Sequence, residues 1–333
     1  MSIRTGLIGH GLGGRAFHEP LIRACERLSL AGIATRRTTP DPADLIADPE
    51  IELIVVSTPN HSHFPLAKAA LEAGKHVAID KPFTVTLAEA DELIALARAT
   101  ARVLTVFHNR RWDGDFLTVR KLLASGRLGE AMRYEAHWDR FRAAIKPGWK
   151  EQAGPGTGLL GDLGPHLIDQ ALLLFGAPDA VEGDIERQRA GSEVDDYFAL
   201  TLHYGKRRAL LGSSLLAAAP RPRFALHGSE GSFVKYGLDP QEPQAEAGMT
   251  PTDPGFGVEE ESRHGILTLA DGSSETVPTE RGNYLAFYDG VAAAILDGAP
   301  VPVEPADARA GLEIIELARA NAREERPHIS GKR

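Results

Sequence analysis

Asp162, His166 and Asp169 share the stretch Gly161-Asp162-Leu163-Gly164-Pro165-His166-Leu167-Ile168-Asp169, which opens an apolar run over residues 167–175 closed by Gly176. The run reads as a helix with Pro165 in its first turn, where a missing N–H costs little. Positions three and four apart share a helix face, so His166 and Asp169 fall together and Asp162 sits just ahead of them. An imidazole beside a carboxylate is what a general base needs: one ring nitrogen works while the other is oriented. The competing reading makes Asp162 a helix cap and His166 a satisfied, half-buried histidine. A second stretch, Asp80-Lys81-Pro82-Phe83, follows a strand read over residues 75–79. An ammonium there would stand at the carboxyl end of a parallel strand, where open α/β sheets bind ligands.

The first third of the chain supplies elements to position such groups. Residues 3–8 read as a buried strand, followed by Gly9-His10-Gly11-Leu12-Gly13-Gly14, which fits G-x-G-x-x-G through Gly9, Gly11 and Gly14. A helical pattern comes next, and strand, glycine turn and helix in this order make a dinucleotide-binding unit. Gly9 would make the tight turn, Gly11 would let backbone approach a pyrophosphate, and Gly14 would let helix pack on strand; Leu12 and Gly13 complete the turn. The second strand, 28–34, runs into Thr35-Arg36-Arg37-Thr38 with no carboxylate before Asp41. An acid there would bond a ribose hydroxyl and repel a 2′-phosphate, whereas arginine and a hydroxyl welcome it. The reading is NADP preferred, with NAD admissible. The third strand, 51–57, ends in Thr58-Pro59-Asn60, placed to line the cofactor, and then His61-Ser62-His63. The histidine pair is not read as a metal site, because no further ligands at metal spacing accompany it. Further strands at 75–79 and 103–107 alternate with helices at 65–73 and 87–99, which gives a mostly parallel open sheet.

The second half changes character. A linking helix is expected over 112–125, a long strand over 129–142, and a loop through Trp149 that would lie over the nicotinamide or substrate. Strand candidates at 180–187, 197–204, 208–214, 223–227, 232–235 and 265–269 then make a largely antiparallel sheet of hairpins. Residues 237–261 read as a long exposed loop, 284–296 and 307–322 as closing helices, and 323–333 as a fraying tail. The fold expected is α/β: an N-terminal Rossmann doubly wound parallel sheet over residues 1–121, and a C-terminal α+β substrate-binding and oligomerisation domain with a large, mostly antiparallel open sheet over 122–333. The chain has 333 residues, a net charge of −9 and one cysteine, Cys25. That charge argues against a sequence-independent hold on nucleic acid. A single cysteine permits no intrachain disulfide and suits a reducing compartment. No apolar run reaches membrane-span length, and no signal-peptide core opens the chain, so a cytoplasmic location is expected.

The glycine fingerprint, Lys81-Pro82 after the fourth strand and Asp162-x-Gly164-x-His166, in this order and at these separations, resemble the glucose–fructose oxidoreductase / inositol dehydrogenase / rhizopine-catabolism (Gfo/Idh/MocA) family. The resemblance covers essentially the whole chain. Members usually read Glu-Lys-Pro where this chain has Asp80-Lys81-Pro82. Residues 107–113 and 234–241 are most similar to the branch of NADP-dependent scyllo-inositol dehydrogenases. The resemblance implies that Lys81, Asp162 and His166 act together on a secondary alcohol, that the Lys81–Pro82 bond is cis, and that subunits pair through their sheets as a homodimer or homotetramer. On this reading Lys81 also touches the cofactor, and Lys81, Arg110, Asp162 and His166 contact a polyol or sugar. An aldose or keto-sugar remains an alternative substrate, and a non-catalytic NADP-binding sensor an alternative class.

Overall fold

The computed structural model describes residues 2–35 and 40–324. Arg36 and Arg37, like the tail expected to fray beyond residue 324, lie outside the described residues. The chain forms two compact units, and neither is contiguous. The first is Met1–Ala124, Leu238–His264 and Val277–Arg309; the second is Ser125–Gly237, Gly265–Thr276 and Ala310–Arg333.

Five parallel strands build the first unit: Ile3–Ile8 (β1), Leu28–Ala34 (β2), Leu53–Val56 (β3), His76–Asp80 (β4) and Leu104–Phe107 (β5). Their order is β2-β1-β3-β4-β5. The order reverses between β1 and β3, so the crevice beyond their carboxyl ends is the topological switch point. β3 and β5 are buried at every residue, as strands covered on both faces must be. Crossovers run through Glu19–Ala24 (α1), Pro42–Ala47 (α2), His63–Glu72 (α3) and Leu87–Ala99 (α4), and Gly114–Ala124 (α5) follows the last strand. A π-helical turn over Gly14–His18 leads into α1. Asp41 and Thr86 cap α2 and α4 through reciprocal capping boxes.

His76, at the start of β4, gives this unit a pH dependence. Its Nδ1 accepts the Val103 N–H at 2.9 Å, which requires an unprotonated nitrogen. Burial, with the Arg102 charge, lowers its pKa to about 4. The unfolded chain therefore binds a proton below the ordinary histidine value that the fold refuses. The stability this contributes is complete above pH 6.5 and is lost as pH falls toward 4. Denaturant titrations of wild type and His76→Asn across that window should diverge in slope. Parallel curves would remove His76 from the account.

In the second unit, Ala131–His137 (β6) precedes an 18-residue helix, Gly158–Phe175 (α6). Then come Ala180–Glu186 (β7), Tyr197–Tyr204 (β8), Arg207–Ser214 (β9), Phe224–Gly228 (β10) and Gly231–Lys235 (β11). With Gly265–Leu269 (β12) and Ser274–Val277 (β13) they form one eight-stranded sheet, ordered β13-β12-β11-β10-β6-β9-β8-β7. The β6–β9 pair is parallel, and pairs such as β7–β8, β8–β9 and β10–β11 are antiparallel. α6 packs on β8 and β9 through a buried face that includes Leu160, Leu163, Leu167 and Ala171.

Two expectations are corrected. α6 starts at Gly158, so Pro165 lies inside the helix rather than in its first turn, and Asp162 is helical rather than a cap. Its first turn is satisfied from outside: Leu159 N–H donates to the Asp195 carbonyl at 2.8 Å and Leu160 N–H to the Asp195 carboxylate at 2.6 Å. Burying the long apolar face of this helix offsets the cost of an interior proline, about 3 kcal/mol. The stretch 237–261 is an exposed loop only in part. It contains a short helix, Gln241–Glu246 (α7), and packs within the first unit through polar anchors. Asp239 accepts the Gly114 N–H at 2.6 Å, and Gln241, fully buried, donates to the Trp112 carbonyl and accepts the Tyr284 N–H. The closing helices are Leu285–Asp297 and Pro305–Glu324.

Candidate functional site

In the first unit the glycine turn after β1 is built as a cradle. Gly9 has φ +103°, and its N–H donates to the Ala34 carbonyl at 2.8 Å. A Cβ on Gly14 would overlap the carbonyl oxygen of Gly9, so this glycine serves the closeness of the turn to itself. Around Gly11 a Cβ would meet nothing within 4 Å, and Leu12 is half-exposed. A bare backbone face at the start of a helix suits an anionic pyrophosphate, so the residues fit a dinucleotide. Thr35 closes β2; the basic pair after it is not described.

The ends of β3 and β4 meet this cradle. A Cβ on Gly13 would come 2.8 Å from Asp80 Oδ2 and 2.9 Å from Ser57 Oγ. Ser57 Oγ donates to Asp80 Oδ2 at 3.1 Å, and the Lys81 N–H donates to Asp80 Oδ1 at 2.8 Å. Buried His18 holds its Nε2 3.4 Å from Asp80 Oδ2 and its Nδ1 2.6 Å from the Tyr288 hydroxyl. Burial pushes the Asp80 pKa up, but the His18 ring and the charges of Lys81 and His63 outweigh it and hold the carboxyl well below the usual carboxylate range. The Lys81–Pro82 bond is cis. Thr58, Pro59 and Asn60 form the neighbouring turn, braced by Ser62 Oγ, which lies 2.8 Å from Thr58 Oγ1 and 2.7 Å from the Pro59 carbonyl.

Arg110 is placed differently from expectation. Its side chain is buried and donates to the Tyr284 hydroxyl at 2.5 Å, to Asp113 at 3.4 Å and to Glu242. Tyr284 in turn donates to Asp113 at 2.7 Å. The guanidinium thus binds α7 to the start of α5.

The second unit carries the other half of the expected set. Asp162 and His166 lie one turn apart on α6, closer in kind than a cap and a helix residue would be. His166 is 4 % exposed, and its ring stacks against Trp138 at 6.0 Å between centroids, 28° from parallel. Arg140 and Arg223 each lie 5.4 Å from the centre of the same indole. Asp162 Oδ1 accepts from Lys150 Nζ at 2.7 Å. Trp149, Lys150 and Glu151 form one 3-10 turn, anchored by the ion pair of Glu151 with buried Arg189. Trp149 is 37 % exposed.

Among residues the pattern reading passed over, Ser57, His18 and Lys150 touch this machinery. Only Lys150 had a signal, its place beside Trp149. His61 and His63 do not work as a pair: His61 is exposed, while both ring nitrogens of buried His63 face backbone carbonyls.

Residues 3–108 match a family profile described as "Oxidoreductase family, NAD-binding Rossmann fold" (GFO_IDH_MocA) and residues 120–329 one described as "Oxidoreductase family, C-terminal alpha/beta domain" (GFO_IDH_MocA_C). The chain is 47 % identical over 337 residues to the oxidoreductase YdgJ of Escherichia coli K12, covering 97 % of each chain. It is 39 % identical over 340 residues to the scyllo-inositol 2-dehydrogenase (NADP(+)) IolW of Bacillus subtilis 168, covering 98 % of this chain and 95 % of the other. The solved structure of the oxidoreductase yvaA from Bacillus subtilis superposes with a TM-score of 0.94 at 39 % identity, covering 98 % and 97 % of the two chains.

Proposed function

Because this chain belongs to the Gfo/Idh/MocA oxidoreductase family, we propose that it is an NADP-preferring dehydrogenase that moves a hydride between nicotinamide and a ring alcohol or ketone of a cyclic polyol, with scyllo-inositol and its 2-keto form as the first pair to test. The observation that carries the reading is the pairing of Asp162 with His166 one helical turn apart, His166 held against Trp138, in a chain whose first unit keeps Lys81 beside the glycine cradle. His166 takes the hydroxyl proton as the alcohol is oxidised and returns it in the reverse direction. Asp162 offsets the charge that forms on the ring, and the Lys81 ammonium stabilises the developing alkoxide. The bound nicotinamide supplies the hydride acceptor, and the protein's part is alignment and protonation. The name of the Bacillus relative and the basic residues Arg36 and Arg37 support the substrate and the cofactor preference. We place the enzyme in the cytoplasm as a homodimer or homotetramer, acting on a small molecule without nucleic acid or membrane.

The test is an initial-rate panel of inositols and aldoses with NADP and NAD at matched concentration, repeated on Arg36→Ala. Fastest turnover of scyllo-inositol with NADP, and a loss in Arg36→Ala that falls mainly on NADP, are expected. A two-phosphate-oxygen contact to arginine is worth about 1.5–3 kcal/mol, or roughly ten- to a hundred-fold in KM for NADP. Equal losses for both cofactors would refute the 2′-phosphate assignment, and an aldose turning over fastest would replace the substrate.

A further inference from the structure

His63 opens α3 and is fully buried. Its Nδ1 stands 2.8 Å from the Pro82 carbonyl oxygen and its Nε2 2.9 Å from the Thr58 carbonyl oxygen. Both partners are backbone oxygens and only accept. A neutral imidazole has one N–H and one lone pair, so it satisfies one of these carbonyls and sets its lone pair against the other. Turning the ring over would bring C–H groups to both carbonyls. Only the imidazolium donates to both at once. A counter-charge is at hand: the Asp80 carboxylate at the end of β4 favours the proton on His63, and His63 in return helps keep Asp80 ionised. Burial is the strongest opposition to that charge, and the His18 ring adds to it. The hydrogen-bond geometry weighs against this, because loss of the proton would leave a buried carbonyl facing a lone pair at under 3 Å. The two carbonyls belong to the turns that matter most in the first unit: Thr58 to the turn lining the cofactor, Pro82 to the cis turn that presents Lys81.

We propose that His63 is a positioning residue, held as a buried imidazolium that ties the Thr58–Pro59 turn to the Lys81–Pro82 turn and so sets the cofactor-lining backbone against the catalytic lysine. The charge state rests on geometry alone; the link to the cofactor rests on the dinucleotide reading above.

Neutron diffraction from deuterium-exchanged wild-type crystals at neutral pH reads the charge state without any variant and without turnover. Deuterons on both Nδ1 and Nε2 are expected; a deuteron on one nitrogen only overturns the imidazolium. The positioning half is read by NADPH titration of His63→Phe, which keeps the ring and removes both donors. Affinity should fall at least about ten-fold at a temperature where the variant is folded, with part regained in His63→Gln, which restores one donor. Unchanged affinity in a folded His63→Phe, or in His63→Gln should the phenylalanine variant not fold, overturns the positioning role. Absence of NADPH binding by wild type would instead strike the cofactor reading and leave the neutron result standing.

Discussion

Replacing His166 by alanine is expected to lower turnover by about a thousand-fold while NADP affinity stays within about two-fold, since a positioned general acid–base contributes roughly 10²–10⁴. The split follows from where the parts are built. His166 sits on α6 in the second unit, whereas Gly9–Gly14, Thr58–Asn60 and Lys81 belong to the first. Losing the imidazole therefore leaves the nucleotide cradle intact. The ring also packs on Trp138, so alanine opens a gap, and some loss of stability will accompany the loss of activity. His166→Gln separates the two effects: it refills most of the space and restores a hydrogen-bonding group that cannot titrate. Both variants should bind NADP, and both should lose the limb of the pH–rate profile that reports the base. Turnover surviving in either would show that the proton leaves by another group.

Much of this site was legible because its logic is local. The glycine turn is read from three spacings: Gly9 has the positive φ of a tight turn and Gly11 the open space, whereas Gly14 is closed on the Gly9 carbonyl rather than on a strand. The strands of the first sheet are apolar runs ended by turn residues, and their order follows from crossover helices. What pattern reading missed was set by tertiary partners. Thr157 stands at the N-cap of α6 but gives its hydroxyl to the Gly154 carbonyl, and the acceptor that satisfies the first turn, Asp195, lies far off in sequence. The segment 237–261 lacks hydrophobic periodicity because it is held by buried polar anchors, Asp239 and Gln241, whose partners Gly114, Trp112 and Tyr284 lie far off in sequence. Arg110 is read from its type as a sugar contact; its pairing with Glu242 and Tyr284 could not be read, because both lie far off in sequence. His63 was visible only as half of a His-x-His pair, and its two carbonyl partners come from separate strand ends. Charge type is written in the sequence; the partner that uses it is written in the fold.

The glycine cradle allows a sharper separation of fold from function than any catalytic variant. At Gly9 a Cβ would lie inside the Ser57 carbonyl, 2.6 Å from its carbon and nearer still to its oxygen, on a backbone at φ +103°. That conformation disfavours any L side chain by about 1–3 kcal/mol. The clash is with backbone, so no rotamer relieves it. β1 and β3 are paired side by side here, with the Ser57 N–H donating to Ile8 at 2.8 Å, so the turn cannot retreat without breaking the ladder. Gly9→Ala should lose about 3 kcal/mol or more of stability and NADP binding with it. Gly11→Ala meets no atom within 4 Å and has no positive φ, so its Tm should match wild type. Its methyl nonetheless projects from the backbone that a pyrophosphate must approach, so NADP affinity should drop at least about ten-fold, or 1.4 kcal/mol. Thermal unfolding and NADPH titration on the two variants decide the matter together. Stability lost at Gly9 alone, with affinity lost at both, is the pattern of a cradle for a dinucleotide; full affinity in Gly11→Ala would mean that the phosphates lie elsewhere.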